Sequence, residues 1–469
     1  MPNSQERRST AQRRAEQPVG GPRAARPLLL RRLGKLRRRS RRGSLQWLQM
    51  QGCAPLRREV PGDYHLPMRK PSVLRIAIIG YGTAGQAASL FLQRSGHEIS
   101  HFEQAPELQP VGAGFLLQPT GLSVLDELAL SQPARACGAR VERLYGKNER
   151  GRPVMDMRYA ELDPRWHGLG MQRGALFELL RQADAGAGRV QCGIAIETVD
   201  AVAGMLMDSA GTRRGPFDLI VVANGAHSRL RAIAGIEVLR DALYPWGAIW
   251  CLAADPDRRS GAELQQRYRR AREMIGVLPV GWLPGQSASE ARVSLFWSVP
   301  TGQLQAACSG SLESLRASVD ALWPQAGQWL DGMVDRSDWR AASYRDVVLR
   351  QPFRERVVLI GDAAHGMSPQ LGQGVNMALL DARALAQALE QHTTVSAALA
   401  GYASERAAHL RIYQFLSRWL TPLFQSDLDA LAWWRDLLFL PMSRLPFSRA
   451  ESLRILTGIK RGWFGRLQL

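Results

Sequence analysis

Cysteine is scarce and scattered. Five occur in 469 residues (Cys53, Cys137, Cys192, Cys251 and Cys308), and no two have CxxC spacing. Widely separated thiols in odd number argue against a disulfide framework or a cysteine zinc site and suit a reducing compartment. Lysine is scarcer still. Only four of the 61 basic residues are Lys (Lys35, Lys70, Lys147 and Lys460), so arginine usage is a bias of the whole chain and needs no selection for phosphate contacts. No stretch approaches the ~18 consecutive apolar residues that would span a bilayer. What remains, 45% hydrophobic and 22% charged, is ordinary globular composition, which excludes collagen, coiled coil and pervasive disorder. The length suggests two or three structural units.

The net charge of +19 is uneven. Residues 1–67 hold 16 Arg/Lys against 4 Asp/Glu, a net of +12, while the other 402 hold 45 against 38, a net of +7. With runs such as Arg37-Arg38-Arg39 and few apolar residues, this segment reads as a disordered Arg-rich extension. It fits an upstream extension with the working start at Met68, a transit-like or membrane-surface segment, or a nucleic-acid-binding arm.

The first chemistry-bearing pattern opens at residue 73. Val73 to Ile79 is a short β-branched apolar run, Gly80-Tyr-Gly82-Thr83-Ala84-Gly85 follows, Gln86 to Arg94 has helical spacing, and a second strand, Glu98 to Glu103, ends in an acid. Each part has a reason. Gly80 permits the tight turn, and Gly82 lets backbone N–H groups approach a pyrophosphate at the positive end of a helix. Gly85 allows close helix-to-strand packing, and Glu103 can accept bonds from ribose hydroxyls. The pattern indicates a dinucleotide without choosing between NAD and FAD.

Two downstream segments repeat the theme of a strand running into a polar turn. Leu219 to Ala223 ends in Asn224-Gly225, with His227 read as a surface turn residue. Val357 to Ile360 ends in Gly361-Asp362, and a loop carrying Gly366, Pro369 and Gly372 leads to a helix from about Gly374 to Leu389. Asp362 is placed to bond polyol hydroxyls. The helix start at Gly374, Val375 and Asn376 would aim free N–H groups at an anion. His365 is read as a structural residue bonding loop backbone, with a proton relay as the alternative.

Together these segments resemble the class A flavoprotein monooxygenases, the p-hydroxybenzoate hydroxylase-like family. Gly112-Ala-Gly114 resembles the family's loop beside the flavin, and Gln172-Arg173 a segment whose Arg lies near the ribityl-phosphate region. Pro369, Gly372, Gly374 and Asn376 resemble the loop and helix start under the isoalloxazine, and Asp381-Ala382 follows. One departure is that Asn224 stands where the family has Asp, which keeps a turn-compatible side chain but loses the charge; Gly225, Ser228 and Arg231 still match.

The resemblance implies an α/β fold. It would comprise a Rossmann-like FAD-binding domain of glutathione reductase type, an inserted, mostly antiparallel β substrate domain and a C-terminal helical segment. Its boundaries fall at 68–235 and 351–400 for the FAD-binding parts, 236–350 for the substrate sheet and 401–469 for the helical cap. It also implies FAD as cofactor and NADPH or NADH as a transient reductant. Oxygen would be activated as a flavin C4a-hydroperoxide that hydroxylates an aromatic or similar hydrophobic small molecule. No second GxGxxG follows in strand-to-helix context, so the reductant would share the cleft.

The substrate wall is expected from strands at Leu243 to Leu252, Met274 to Leu283 and Arg292 to Val299. Tyr244, Trp246, Trp250, Trp282, Phe296 and Trp297 would either form an apolar pocket or simply fill the core. No catalytic acid or base stands out. Residues 401–469 are helical and Trp-rich (Trp419, Trp433, Trp434, Trp463), with ten Arg/Lys against five Asp/Glu and breaks expected at Pro422, Pro441 and Pro446. They read as a cap on the flavin domain, or as a dimer face or peripheral membrane contact in an otherwise cytoplasmic protein. Nucleic acid is not an expected partner. Rival chemistries are an isoprenoid-type reductase and a flavin-dependent halogenase. The halogenase fits poorly, because Phe296-Trp297-Ser-Val-Pro300 only echoes the halogenase motif and Lys147 lies in a polar, turn-like stretch.

Overall fold

Ile76 to Ile79 are buried on both faces, as a central strand of a parallel sheet must be. The computed structural model describes residues 72–109, 112–185, 189–331, 333 and 338–469. The reading of residues 1–67 and of Met68 lies outside them.

β1 (Arg75–Ile79) leads into α1 (Thr83–Arg94), which starts three residues before the apolar spacing indicates. β2 (Glu98–Phe102), β3 (Leu219–Val222) and β4 (Val357–Leu359) run parallel to β1 in the order β4-β3-β1-β2, and Phe353–Arg354 adds an antiparallel edge strand. The register is level at the carboxyl ends. Ile79 pairs with Phe102 and Val222, and Val222 pairs with Leu359. Residues 80, 103, 223 and 360, distant in the chain, therefore reach one rim, where open parallel sheets bind ligands. α2 (Gly374–Gln391) packs along α1, burying Leu379, Leu380, Leu385, Ala388 and Leu389.

A second, seven-stranded sheet contains the three strands expected beyond residue 236, observed at Trp246–Ala254, Glu273–Gly281 and Arg292–Pro300. It also takes Arg143–Asn148 and Pro153–Arg158 from within 68–235, joined to Glu263–Arg269 by a parallel pairing among otherwise antiparallel ones. Lys147 thus sits in a strand, correcting the turn-like reading. Burial alternates at Leu144, Gly146 and Asn148, a period of two that the polar composition hides, and the turn itself comes at Gly151.

α3 (Val395–Phe424), α4 (Asp429–Ser443) and α5 (Pro446–Leu456) form the C-terminal segment. Pro422 and Pro441 do not break their helices at the points expected. Each sits two residues before a helix end, where a lost N–H and a ring clash cost only the last turn, and Pro446 opens α5 at its first position. Among the described residues no helix is long and apolar enough to cross a membrane.

Candidate functional site

At the level rim of β1 to β4 lies a cleft of about 330 Å³. Its walls come from three stretches: Gly80, Gly82, Thr83 and Ala84 after β1; Asn224 and Gly225 after β3; and Asp362, Gly374 and Val375 after β4. Glu103 and Arg173 also line it.

The glycines differ in what forces them. Gly80 has φ +101°, and a Cβ there would lie 2.7 Å from the Ala223 carbonyl oxygen. At Gly85, outside the lining, a Cβ would stand 2.0 Å from the Gly80 carbonyl oxygen, so this residue sets how closely α1 approaches the turn. A Cβ on Gly82 would meet no protein atom within 4 Å, so there the protein leaves open space beside the N-terminus of α1. Glu103 accepts from the Tyr81 N–H (2.7 Å) and the Ala105 N–H (2.9 Å). A carboxylate has about four acceptor positions, which leaves capacity for hydroxyls.

The turn is also held from below. His101 Nε2 lies 2.9 Å from the Gly80 carbonyl oxygen, so the ring donates there. Burial pushes its pKa from 6.5 down to about 4, and burial together with the Arg406 charge pushes His409 to about 3. In the unfolded chain both would titrate near ~6.5. The unfolded state therefore takes up protons that the folded state refuses. The stability due to these neutral rings is fully present above pH 6.5 and is lost as pH falls toward 4. Unfolding midpoints measured across that window should drop steadily, and less steeply in a His101→Gln variant.

Arg231, whose role the sequence left open, ties two walls together. It donates to the Ala226 carbonyl (2.7 Å) beside the Asn-Gly turn, to the Ala363 carbonyl (3.0 Å) beside the Gly-Asp turn, and to Asp241 (3.1 Å). Asn224 Oδ1 is buried with no protein partner. His227 is exposed in the turn.

His365 does not bond loop backbone. Its Nε2 lies 2.5 Å from Asp381 Oδ2, so the partner is a buried carboxylate about two turns inside α2 that no local pattern reveals. Asp381 also accepts from the Gly361 N–H (2.9 Å) and from Arg406 (2.7 Å). Arg406 contacts His409, whose Nε2 lies 2.8 Å from the Gly458 carbonyl. Asp362 itself is exposed in the cleft opposite Gly374, where a Cβ would lie 3.7 Å from its Oδ1.

The first intrahelical bond of α2 runs from the Met377 N–H to the Gln373 carbonyl, leaving the N–H groups of Gly374, Val375 and Asn376 without helix partners. Pro369 starts a short 3-10 turn that ends at Gly372 in the left-handed region (φ +62°), which redirects the chain into α2. Gln373 is buried, and its Nε2 donates to the Leu456 carbonyl (2.8 Å), so the C-terminal segment holds the helix start.

Several expected residues lie outside the lining. Asn376 staples the strand Gly114–Leu117 and its end to α2, accepting from the Gln118 N–H (2.9 Å) and donating to the Leu116 and Gly372 carbonyls. Gly114 packs on the second sheet, its N–H bonded to Ser294 Oγ (3.2 Å). Pro369 and Gly372 act through the loop. None of the six aromatics expected as a substrate wall lines the cleft. Phe296, Trp297 and Trp282 pack on core clusters, and Trp246 donates to the Arg272 carbonyl. The sequence missed Ile194 and Ile196, which close the edge beside Glu103 in a short segment lacking periodicity. Among the described residues no cluster of His, Cys, Asp and Glu could hold a metal.

This geometry suits an elongated dinucleotide. Two helix N-termini offer uncommitted N–H groups, a glycine-lined gap has no side chain in it, one buried amide oxygen lacks a partner, and two carboxylates stand on the walls. Residues 73–413 match the family described as FAD binding domain. The chain belongs to this family. It is an FAD-dependent oxidoreductase of the class A flavin monooxygenase type, with FAD its cofactor. Among its relatives, 6-methylpretetramide 4-monooxygenase of Streptomyces rimosus is 29% identical over 329 residues, covering 66% of this chain and 73% of that one. The FAD-dependent urate hydroxylase of Klebsiella pneumoniae is 26% identical over 354 residues, covering 72% and 87%. In fold, the chain is similar to a variant of K. pneumoniae HpxO complexed with FAD (TM-score 0.67, 22% identity, 82% and 99% covered). It is also similar to PqsL of P. aeruginosa in complex with 2-aminobenzoylacetate (TM-score 0.66, 22% identity, 76% and 98% covered).

Proposed function

We propose that this chain uses NAD(P)H and O2 to hydroxylate a hydrophobic small molecule with an aromatic ring. The carrying observation is the meeting of three separated stretches in one cleft, with the free N–H groups of α2 at one side. Bound FAD supplies the redox chemistry, accepting hydride and reducing oxygen.

The chain's own residues bind and orient. Arg173 and the N-terminus of α1 would hold the pyrophosphate, Glu103 the adenosine ribose, and Asp362 the polyol. The N–H groups of Gly374 and Val375 would face the ring edge that gains negative charge on reduction. Asn224 would bond the cofactor through its unpartnered oxygen without adding charge. The relatives' names point to ring substrates such as 6-methylpretetramide, urate and 6-hydroxynicotinate. A hydrophobic substrate also suits an enzyme that touches a membrane surface through its C-terminal helices.

Asp362→Ala should weaken FAD binding by roughly tenfold or more, the loss of a charge-assisted hydrogen bond, and leave the unfolding midpoint nearly unchanged. Titration of the apoprotein with FAD, set beside a denaturant curve, reads both. For the reaction, a panel of aromatic compounds should contain members that accelerate NAD(P)H oxidation and gain one oxygen atom by mass. Products gaining two hydrogens would favour the reductase reading, and a flavin-loaded protein stimulated by no ring compound would overturn the proposal.

A further inference from the structure

α4 is built inside out. Its outward stripe is Trp433, Trp434, Leu437, Leu438, Pro441 and Met442, spaced i, i+1, i+4, i+5, i+8, i+9, and all six are exposed. The five other than proline are 40% to 60% exposed. Its inward side carries an arginine. Arg435 is buried, donates to the Arg270 and Leu423 carbonyls (3.0 and 2.9 Å), and lies 5.0 and 5.1 Å from the ring centroids of Tyr268 and Phe424. Those bonds fix the helix with its apolar face outward. The stripe continues past the helix end through Leu445 and Phe447, the latter 79% exposed.

A water-facing helix normally shows the reverse pattern, and an exposed apolar patch of this extent marks a contact surface. The rim is cationic. Asn148 accepts from the N–H groups of Arg150 and Arg152 and donates to Asp436 of α4 (2.8 Å), which fastens that hairpin turn to the helix. Arg150, Arg152 and Arg444 are exposed and make no ion pair among the described residues. Glu149 is exposed in the same turn, while Asp429, at the other end of α4, pairs with Arg270 and Arg272.

We propose that the outward face of α4, with Leu445 and Phe447 beyond it, is a docking surface for an anionic lipid bilayer. Indole rings suit a boundary that is apolar on one side and wet on the other, and arginines beside them suit lipid phosphates. No helix described here can span a bilayer, so α4 lies in the interface plane. The inference deepens the peripheral-contact part of the functional reading and is independent of the hydroxylation chemistry.

The test is co-sedimentation of the flavin-loaded full chain with phosphatidylcholine vesicles, with and without phosphatidylglycerol, and with no substrate present. The parent should pellet with the anionic vesicles and much less with the neutral ones. Trp433→Ser/Leu437→Gln and Arg150→Glu/Arg152→Glu should each lose roughly tenfold or more in partitioning, with flavin absorbance and NAD(P)H oxidation at parental levels. Three outcomes overturn the proposal. The first is a parent that stays in the supernatant. The second is a stripe variant that pellets as the parent does, which would assign binding to the basic N-terminal residues. The third is a dimer in sedimentation velocity that the stripe variant dissociates, which would assign the face to a second copy.

Discussion

Asp381→Asn should cost the protein about 3–5 kcal/mol, the usual penalty for leaving a buried charge without its partner, and most of its flavin. Asp381 is fully buried and holds three groups at once: the Gly361 N–H, His365 and Arg406. Burial alone would raise its carboxyl. The His365 and Arg406 charges overcome that and hold it well below the ordinary carboxylate range. An amide keeps the shape but leaves Arg406, itself buried, uncompensated. It also weakens the bond that fixes Gly361 and so aims Asp362 into the cleft. Denaturant unfolding measures the first effect and flavin content the second. Asp381→Leu/Arg406→Leu removes both charges and should be milder than the single change; a double variant less stable than Asp381→Asn would contradict this account. The sign with pH follows from the depressed value. The contribution of Asp381 is complete above the unfolded carboxylate range near ~4 and declines as the pH falls through and below it.

Gly85→Ala and Gly82→Ala should part company. A methyl on Gly85 would sit 2.0 Å from the Gly80 carbonyl oxygen. Backbone cannot swing away as a flexible side chain can, so α1 must back off the turn. Overpacking of this kind costs about 1–3 kcal/mol, and cofactor and stability should fall together. A methyl on Gly82 meets nothing in the protein. The fold should tolerate it within about 1 kcal/mol, the usual price of alanine at a helix cap, while FAD affinity falls at least tenfold because the methyl enters the gap meant for the pyrophosphate. Unfolding midpoints and FAD titrations on both variants decide it. Equal losses of affinity and stability at Gly82 would mean that the open space there is not a phosphate seat.

The parts legible in the sequence were those with short-range causes. The apolar run before Gly80, the glycine spacing and the helix after Gly374 are local, and each appears within a few residues of its expected place. Contacts between distant residues were not legible. Nothing near Asp381 announces that it will accept from residue 361 and neutralise residue 406, and nothing in Arg231 says that it will clamp two turns. The strands at 143–158 were hidden because a half-buried edge of a sheet alternates with polar residues, so composition suggested a loop around Lys147. The aromatics stayed ambiguous in the sequence, since size and apolarity serve a core as well as a pocket.

Gln373 has a consequence for biogenesis. The helix start proposed to face the flavin ring is held by the carbonyl of Leu456, while Thr120 bonds the Thr457 carbonyl and His409 the Gly458 carbonyl. Chains emerge from the ribosome amino end first. The fingerprint turn can therefore form early, but the proposed seat of the redox ring stays incomplete until residues 456–458 have left the exit tunnel. Cofactor capture would then be a late event in the protein's maturation.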